Sequence, residues 1–212
     1  MTFLSALRGD IFRLFALLAA LVLSAAIAPA QYDDAGEIFI GYSHLNFEPE
    51  TQIDSTGLNG FDASLSGYVN EWLGMAGDVS YFQGTTALNP PLGGTANVDI
   101  QLWNYLLGPQ VRVVRHKRFS AMVRALFGVS RGDADPNTFQ LDNGSSLRLA
   151  IKESKFAMSI GGGLDLNINE QLAWRVIQPE YFMTSFAGGR QGNFRFSTGL
   201  IYRFSKRKIN AP

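Results

Sequence analysis

From residue 37 onward, apolar residues recur at every second position in segments of about 10 residues, and no useful helical period appears. The last segment, 193–204, is the clearest. Phe194, Phe196, Thr198, Leu200, Tyr202 and Phe204 alternate with Arg195, Ser197, Gly199, Ile201 and Arg203. Period two places the two sets on opposite faces of a strand. Seven earlier segments read alike. In the first, Ile38, Ile40 and Tyr42 oppose Phe39, Gly41 and Ser43. Near 60–71, Phe61, Ala63, Leu65 and Val69 oppose Asp62, Ser64, Ser66, Tyr68 and Asn70. Near 73–82, Met75, Val79 and Tyr81 oppose Gly74, Ala76, Asp78 and Ser80. A fourth segment ends with Tyr105, Leu107, Pro109 and Val111 against Asn104, Gly108, Gln110 and Arg112. The fifth sets Ala121, Val123, Ala125, Phe127 and Val129 against Met122, Arg124, Gly128 and Ser130. The sixth sets Phe156, Met158, Ile160, Leu164 and Leu166 against Ser159, Gly161, Gly163 and Asp165; the seventh spans 172–186. Eight antiparallel strands are predicted.

The connections alternate in length. Short polar turns follow the second, fourth and sixth strands, at 70–72, 115–118 and 167–171; longer segments rich in Gly, Pro, Asn, Thr and Ser follow the others, the longest over 131–155. Short turns on one side and long loops on the other are the rule for outer-membrane barrels. A soluble sandwich predicts no such alternation. Two strands break phase. Ile100 and Leu102 have the wrong parity for the apolar face of the fourth strand. Arg175 and Glu180 stand five apart, so a regular strand cannot turn both inward. A β-bulge resolves either case, and Pro179 is a candidate position in the seventh strand.

The first thirty residues differ in kind. Arg8 and Arg13 precede an apolar run from Leu14 to Ala28, and Ala28-Pro29-Ala30 forms a small-x-small site. That order predicts a secretory signal peptide over 1–30, removed before Gln31, rather than a membrane anchor. A barrel over 31–204 and a short periplasmic tail over 205–212 follow. Removing Arg8, Arg13 and Asp10 from 18 basic and 18 acidic residues leaves 16 and 17. Such neutrality offers no footprint for nucleic acid. Cysteine is absent, which excludes disulfides and thiolate chemistry. The mean hydropathy is +0.03, too low for several apolar helices but compatible with strands that are half apolar.

Eight strands enclose a lumen just wide enough for side chains. The large residues of the apolar face therefore fit better outside, against lipid, with the Gly-, Ser- and charge-bearing face inside. Unpaired charges in such a lumen are costly. Arg112, Arg124, Arg175, Arg195 and Arg203 nearly balance Asp62, Asp78, Asp165 and Glu180. A buried ion network that plugs the barrel is expected, with no open pore. Tyr42, Trp72, Tyr81, Trp103, Tyr181 and Tyr202 fall near strand ends and suit interfacial aromatic girdles.

Ser197-Thr-Gly-Leu-Ile-Tyr-Arg-Phe204 resembles the C-terminal assembly signal of outer-membrane barrels. On that resemblance Ser197, Gly199, Tyr202 and Phe204 would be read by the barrel-assembly machinery. Eight residues follow Phe204, whereas the family often ends at the aromatic. More broadly, 37–204 resembles the small OmpA/OmpX-type barrels of the outer-membrane-protein beta-barrel family. Glu37-Ile-Phe-Ile-Gly-Tyr-Ser43, Leu106-Leu-Gly-Pro-Gln110, Ala125-Leu-Phe-Gly128, Gly161-Gly-Gly-Leu-Asp165 and Gln191-Gly-Asn-Phe-Arg-Phe-Ser-Thr-Gly199 carry the likeness. It implies an eight-stranded up-and-down barrel in the bacterial outer membrane. With eight residues beyond the last strand, no OmpA-type peptidoglycan-binding domain is expected here.

Catalytic signals are few. His116 lies in the basic turn RHKR. His44 lies near the long-loop end of the first strand, but adjacent Ser43 has opposite parity. Gly161-Gly-Gly163 lacks the Lys-Ser/Thr and helix of a phosphate loop and suits close packing. Asp133, Asp135, Asp142 and Asn143 do not match a calcium-loop spacing. Lys206-Arg207-Lys208 suits a polar tail or contact with anionic head groups. No catalytic residue, metal or cofactor is expected. The expected role is structural or interactive: a monomer in contact with outer-membrane lipid, whose surface ligand the loops do not name. A narrow channel for small solutes and a lipid-modifying enzyme using His44 are the alternatives.

Overall fold

The computed structural model describes residues 34–47, 56–88, 96–136, 139–140, 146–147, 151–184 and 191–205. The expected leader 1–30, the tail beyond Ser205, Asp142 and Asn143 lie outside the described residues. The strands are β1 (Asp34–Phe47), β2 (Thr56–Tyr68), β3 (Leu73–Leu88), β4 (Ala96–Arg115) and β5 (Phe119–Pro136), then β6 (Phe139–Gln140) and β7 (Ser146–Leu147), then β8 (Ile151–Asn167), β9 (Leu172–Thr184) and β10 (Gln191–Ser205). Eight of them close an antiparallel barrel in the order β1-β10-β9-β8-β5-β4-β3-β2, while β6 and β7 pair separately. Sequence neighbours pair throughout and β10 closes onto β1, the up-and-down topology that leaves no sheet edge.

The alternation explains the wall. Ile40, Tyr42, Val123, Phe127, Phe156, Ile160, Phe194 and Leu200 are exposed on its outer side. Ser43, Asp62, Asp78, Asn104, Arg124, Ser159 and Arg195 are buried on its inner side. Two short turns share one device. Asn70 Oδ1 accepts from the backbone N–H of Trp72 and Leu73 (3.0 and 2.6 Å), and Asn169 Oδ1 from Gln171 and Leu172 (2.8 and 2.7 Å). A side-chain oxygen that satisfies the turn's own amides fixes the reversal. The third turn closes through His116 N–H to Phe119 O at 2.8 Å. Where β1 meets β10, Gly41 lies opposite Gly199. A Cβ on Gly199 would stand 2.3 Å from the Gly41 Cα, so the seam closes only with glycine there.

Several expectations are corrected. The barrel strands have 13 to 20 residues, more than the roughly 9–11 that cross a bilayer. The expected long loop 131–155 is therefore shorter: β5 runs to Pro136, β8 begins at Ile151, and their ladder joins Arg131 to Ser154 and Ala134 to Ile151. Asp133 and Asp135 are strand residues of β5. Ser205 pairs with Asp34, one residue past the expected end of the barrel. No bulge occurs at Ile100 or Leu102. The β3–β4 ladder is unbroken from Leu73–Val111 to Leu88–Ala96, and Leu102 points inward. Strand β9 does contain a bulge, but at Val176 rather than Pro179. Arg175 pairs with Gly199 and Gln178 with Ser197, while on the other side Arg175 pairs with Asp165 and Ile177 with Leu164. Val176 is the surplus residue, which lets Arg175 and Glu180 both face inward. A second bulge sits in β4, where the β5 ladder skips Val113 between Arg112 and Val114.

Candidate functional site

The lumen is the one place where the inner faces of all eight strands meet, and its contents fall into three levels. The floor lies toward the short turns. Asp165 of β8 takes two hydrogen bonds from Arg175, Nε to Oδ1 at 2.8 Å and Nη2 to Oδ2 at 3.2 Å. Glu37 of β1 faces three cations: Arg112 Nη2 at 3.4 Å, Arg175 Nη2 at 3.6 Å and Arg203 Nε at 3.6 Å. Arg203 also donates to Ser120 Oγ at 2.8 Å and Asn167 Oδ1 at 2.7 Å. Tyr68 donates its hydroxyl to Glu37 (3.1 Å), accepts from Gln110 Nε2 (2.5 Å), and lies under the Arg112 guanidinium 4.0 Å from the ring centroid. Arg175 sits 4.8 Å from the centroid of Phe39. Arg112 and Arg175 thus each have a carboxylate at the edge and an aromatic ring at the face, the arrangement arginine's planar fork favours.

The centre is drier still. Arg124 binds Glu180 Oε1 through Nε at 2.6 Å and Asp78 Oδ2 through Nη2 at 2.7 Å, with Asp62 Oδ2 at 3.7 Å. Arg195 reaches the other oxygen of Glu180 through Nε at 2.6 Å, and its Nη1 reaches Asp78 Oδ1 at 3.2 Å and Ser80 Oγ at 3.0 Å. Ser197 donates to Asp62 Oδ2 at 3.0 Å. Gln178 joins the two levels. Its Oε1 accepts from Arg175 Nη1 at 2.7 Å, while its Nε2 donates to Asp62 and Glu180, both at 3.2 Å. An amide can do this because it carries a donor and an acceptor at one end.

Toward the long loops the lumen turns apolar. Leu45, Leu58, Phe82, Leu102, Leu106, Leu126 and Phe182 pack together with Ala76 and Ala157. Ser159, Thr184 and Asn193 are buried polar residues at this level too, and Asn104 pairs with Ser130, Ser130 Oγ to Asn104 Oδ1 at 2.6 Å. The Arg195 guanidinium stands 5.8 Å from the Phe182 ring and marks the boundary.

All nine residues expected in the network, Asp62, Asp78, Arg112, Arg124, Asp165, Arg175, Glu180, Arg195 and Arg203, are inside, none more than 8% exposed. The sequence reading missed a tenth. Glu37 shares the parity of Phe39, Gly41 and Ser43, which was the available signal. With it, the buried charges among the described residues balance at five arginines and five carboxylates. Sequence reasoning also read the inner face as Gly-, Ser- and charge-bearing, with Phe39, Tyr68, Met122 and Ile201 among them; the structure adds an apolar level of Leu45, Leu58, Phe82, Leu102, Leu106, Leu126 and Phe182. Leucine and phenylalanine need no partners there, so they fill volume without the satisfaction that charges demand.

Of the other candidates, Ser197 and Gly199 face the lumen. Tyr202 and Phe204 face outward as an edge-to-face pair, 5.4 Å between centroids. The six candidate girdle residues all lie on the outer side, four exposed and Tyr81 and Trp103 half-buried. Phe61, Tyr81, Trp103 and Tyr105 form a continuous ring contact, with Tyr81 and Trp103 centroids 4.7 Å apart. Ser43 and His44 separate as their parity requires. Ser43 bonds Ser197 in the lumen at 2.8 Å, and His44 lies outside between Asn59 Oδ1 (2.7 Å) and Asn46 Oδ1 (3.0 Å). The Gly161–Gly163 run lies within β8, where a Cβ on Gly161 would meet the Pro179 carbonyl oxygen at 2.2 Å.

Comparison with solved structures places the same fold around this lumen. Neisserial surface protein A is 12% identical, with a TM-score of 0.60 over 82% of this chain and 100% of that one. Ail, the attachment invasion locus protein of Yersinia pestis, is 17% identical, with a TM-score of 0.53 over 81% and 100%. OprG of Pseudomonas aeruginosa is 13% identical, with a TM-score of 0.50 over 83% and 99%. No curated protein sequence matches the chain significantly. The family model described as "Outer membrane protein beta-barrel domain" matches residues 15–204. The chain belongs to that family, and its place is the bacterial outer membrane.

Proposed function

We propose that the protein is a monomeric, non-enzymatic outer-membrane barrel that stabilises the envelope or presents its long connections to the surroundings, and that its lumen passes no solute. The observation that carries this reading is the filled lumen. Asp62, Arg195, Leu126, Phe82 and Phe182, from five strands and from both the ionic and the apolar levels, have no solvent-accessible surface. A water-filled channel in a barrel of this size requires inward side chains that stay wet. The connections between strands agree with a surface role, because short turns of this fold face the periplasm and long loops face outward. Ail carries attachment in its name, which supports the interactive form of the role. The environment of His44 supports the absence of catalysis: its two nitrogens meet asparagine amides rather than a carboxylate. The alternating faces of Ser197, Gly199, Tyr202 and Phe204 suit recognition by the barrel-assembly machinery before the seam with β1 closes.

Planar-bilayer recording tests the closed lumen. No steady conductance is expected from the folded barrel at neutral pH, and a large steady conductance returns the narrow-channel reading. His44→Ala is expected to leave the mass profile of lipid A unchanged. Protease applied to intact cells is expected to cut within 137–150, with the unheated band remaining compact on a gel.

A further inference from the structure

We infer that the β4–β5 turn is a binding site for anionic phospholipid of the inner leaflet. The inference rests on short turns facing the periplasm. Arg115 ends β4, and His116, Lys117 and Arg118 make the turn; all four are exposed. The other two short turns, 69–72 and 168–171, carry one acid each, Glu71 and Glu170, and no cation. Among the three short turns, positive charge is therefore gathered on this one.

The turn is also fastened. Asn167 of β8 donates its backbone N–H to Arg118 O at 2.9 Å, and its Nδ2 to His116 O at 2.9 Å and Lys117 O at 3.4 Å. Its Oδ1 accepts from Arg203 of the lumen floor at 2.7 Å. The cations thus project from a backbone tied to the ion network, and ordering them on a ligand costs less entropy than ordering a loose loop.

Apolar surface lies directly beside them. The bulge at Val113 leaves two consecutive valines on the exposed side, Val113 at 54% and Val114 at 40%, and Phe119 follows the turn at 41%. A soluble anion uses only the charge. A lipid with a phosphodiester head and acyl chains uses both, with the chains along Val113, Val114 and Phe119 and the phosphate against Lys117 and Arg118.

The test uses the full barrel in bilayers of equal phosphatidylcholine and phosphatidylglycerol, with retained lipid counted by native mass spectrometry after gentle detergent release. At least about fivefold enrichment of phosphatidylglycerol is expected, the factor that one cation near an anionic surface supplies. Lys117→Gln with Arg118→Gln is expected to bring the ratio near parity while the band stays compact on an unheated gel. Glu71→Gln with Glu170→Gln, which touches only the other turns, is expected to keep or raise it. Parity in the wild type overturns the inference, as does unchanged enrichment in the folded Lys117/Arg118 variant. Loss of bound lipid to excess inorganic phosphate also overturns it, because the site then takes a soluble anion.

Discussion

The ionic floor and centre of the lumen and its apolar level below the long loops occupy the same tube and are equally dry, yet they are held by different physics. In the ionic part each group is fixed by several directional partners: Glu180 alone is shared by Arg124, Arg195 and Gln178. In the apolar part Leu102, Leu106 and Leu126 pack in one cluster with Leu45, Leu58, Phe82 and Phe182. The first arrangement specifies which side chain stands where. The second specifies only how much space is filled. A narrow barrel can be closed by either, but only the first records a unique register between strands.

Mutation should expose the difference. Glu180→Ala takes from Arg124 and Arg195 one of the two carboxylates they share, leaving them to share Asp78, and a loss of about 3–5 kcal/mol is expected in urea-induced unfolding from vesicles. The same variant is the one expected to admit water and show measurable conductance. Leu126→Ala leaves a cavity and should cost about 3 kcal/mol, with the bilayer still silent. Conductance in Leu126→Ala but not Glu180→Ala would reverse the assignment of which level seals the tube. Tyr68→Phe is the finest cut. It removes one hydroxyl between Glu37 and Gln110 while keeping the ring beneath Arg112, and should cost about 1 kcal/mol. A loss as large as that of Glu180→Ala would show that the floor, rather than the centre, carries the network.

The ionic half was legible in the sequence because a charge among apolar alternates has one physically acceptable side. Arg124 between Val123 and Ala125 can only face inward. Glu37 was missed because it lies at a strand end, where alternation has few neighbours to fix it. The apolar half was not legible for a different reason. Leu102 and Leu106 are welcome both in lipid and in a dry lumen, so hydropathy does not distinguish the two; only unbroken parity from Gln110 back through Asn104 does. The strand limits failed where the wall rises past the hydrocarbon. Near Arg131 and Asp133, polar residues sit on the outer face, so the contrast that marks a membrane strand fades although the ladder with β8 continues.

The bulge at Val176 has a consequence for how this barrel tolerates changes in length. Arg175 and Ile177 already hold their places against Gly199 and Asp165 on one side of the surplus residue and Leu164 on the other. Deleting Val176 therefore closes the ladder without moving any side chain across the wall, whereas deleting one residue from the unbulged middle of β2 sends half of that strand's lumen residues into lipid. Deletion of one residue is silent at two points of the wall, Val113 and Val176, and ruinous in its regular stretches. An alignment that counts residues without allowing for those two points assigns the inner and outer faces of β4 and β9 the wrong way round.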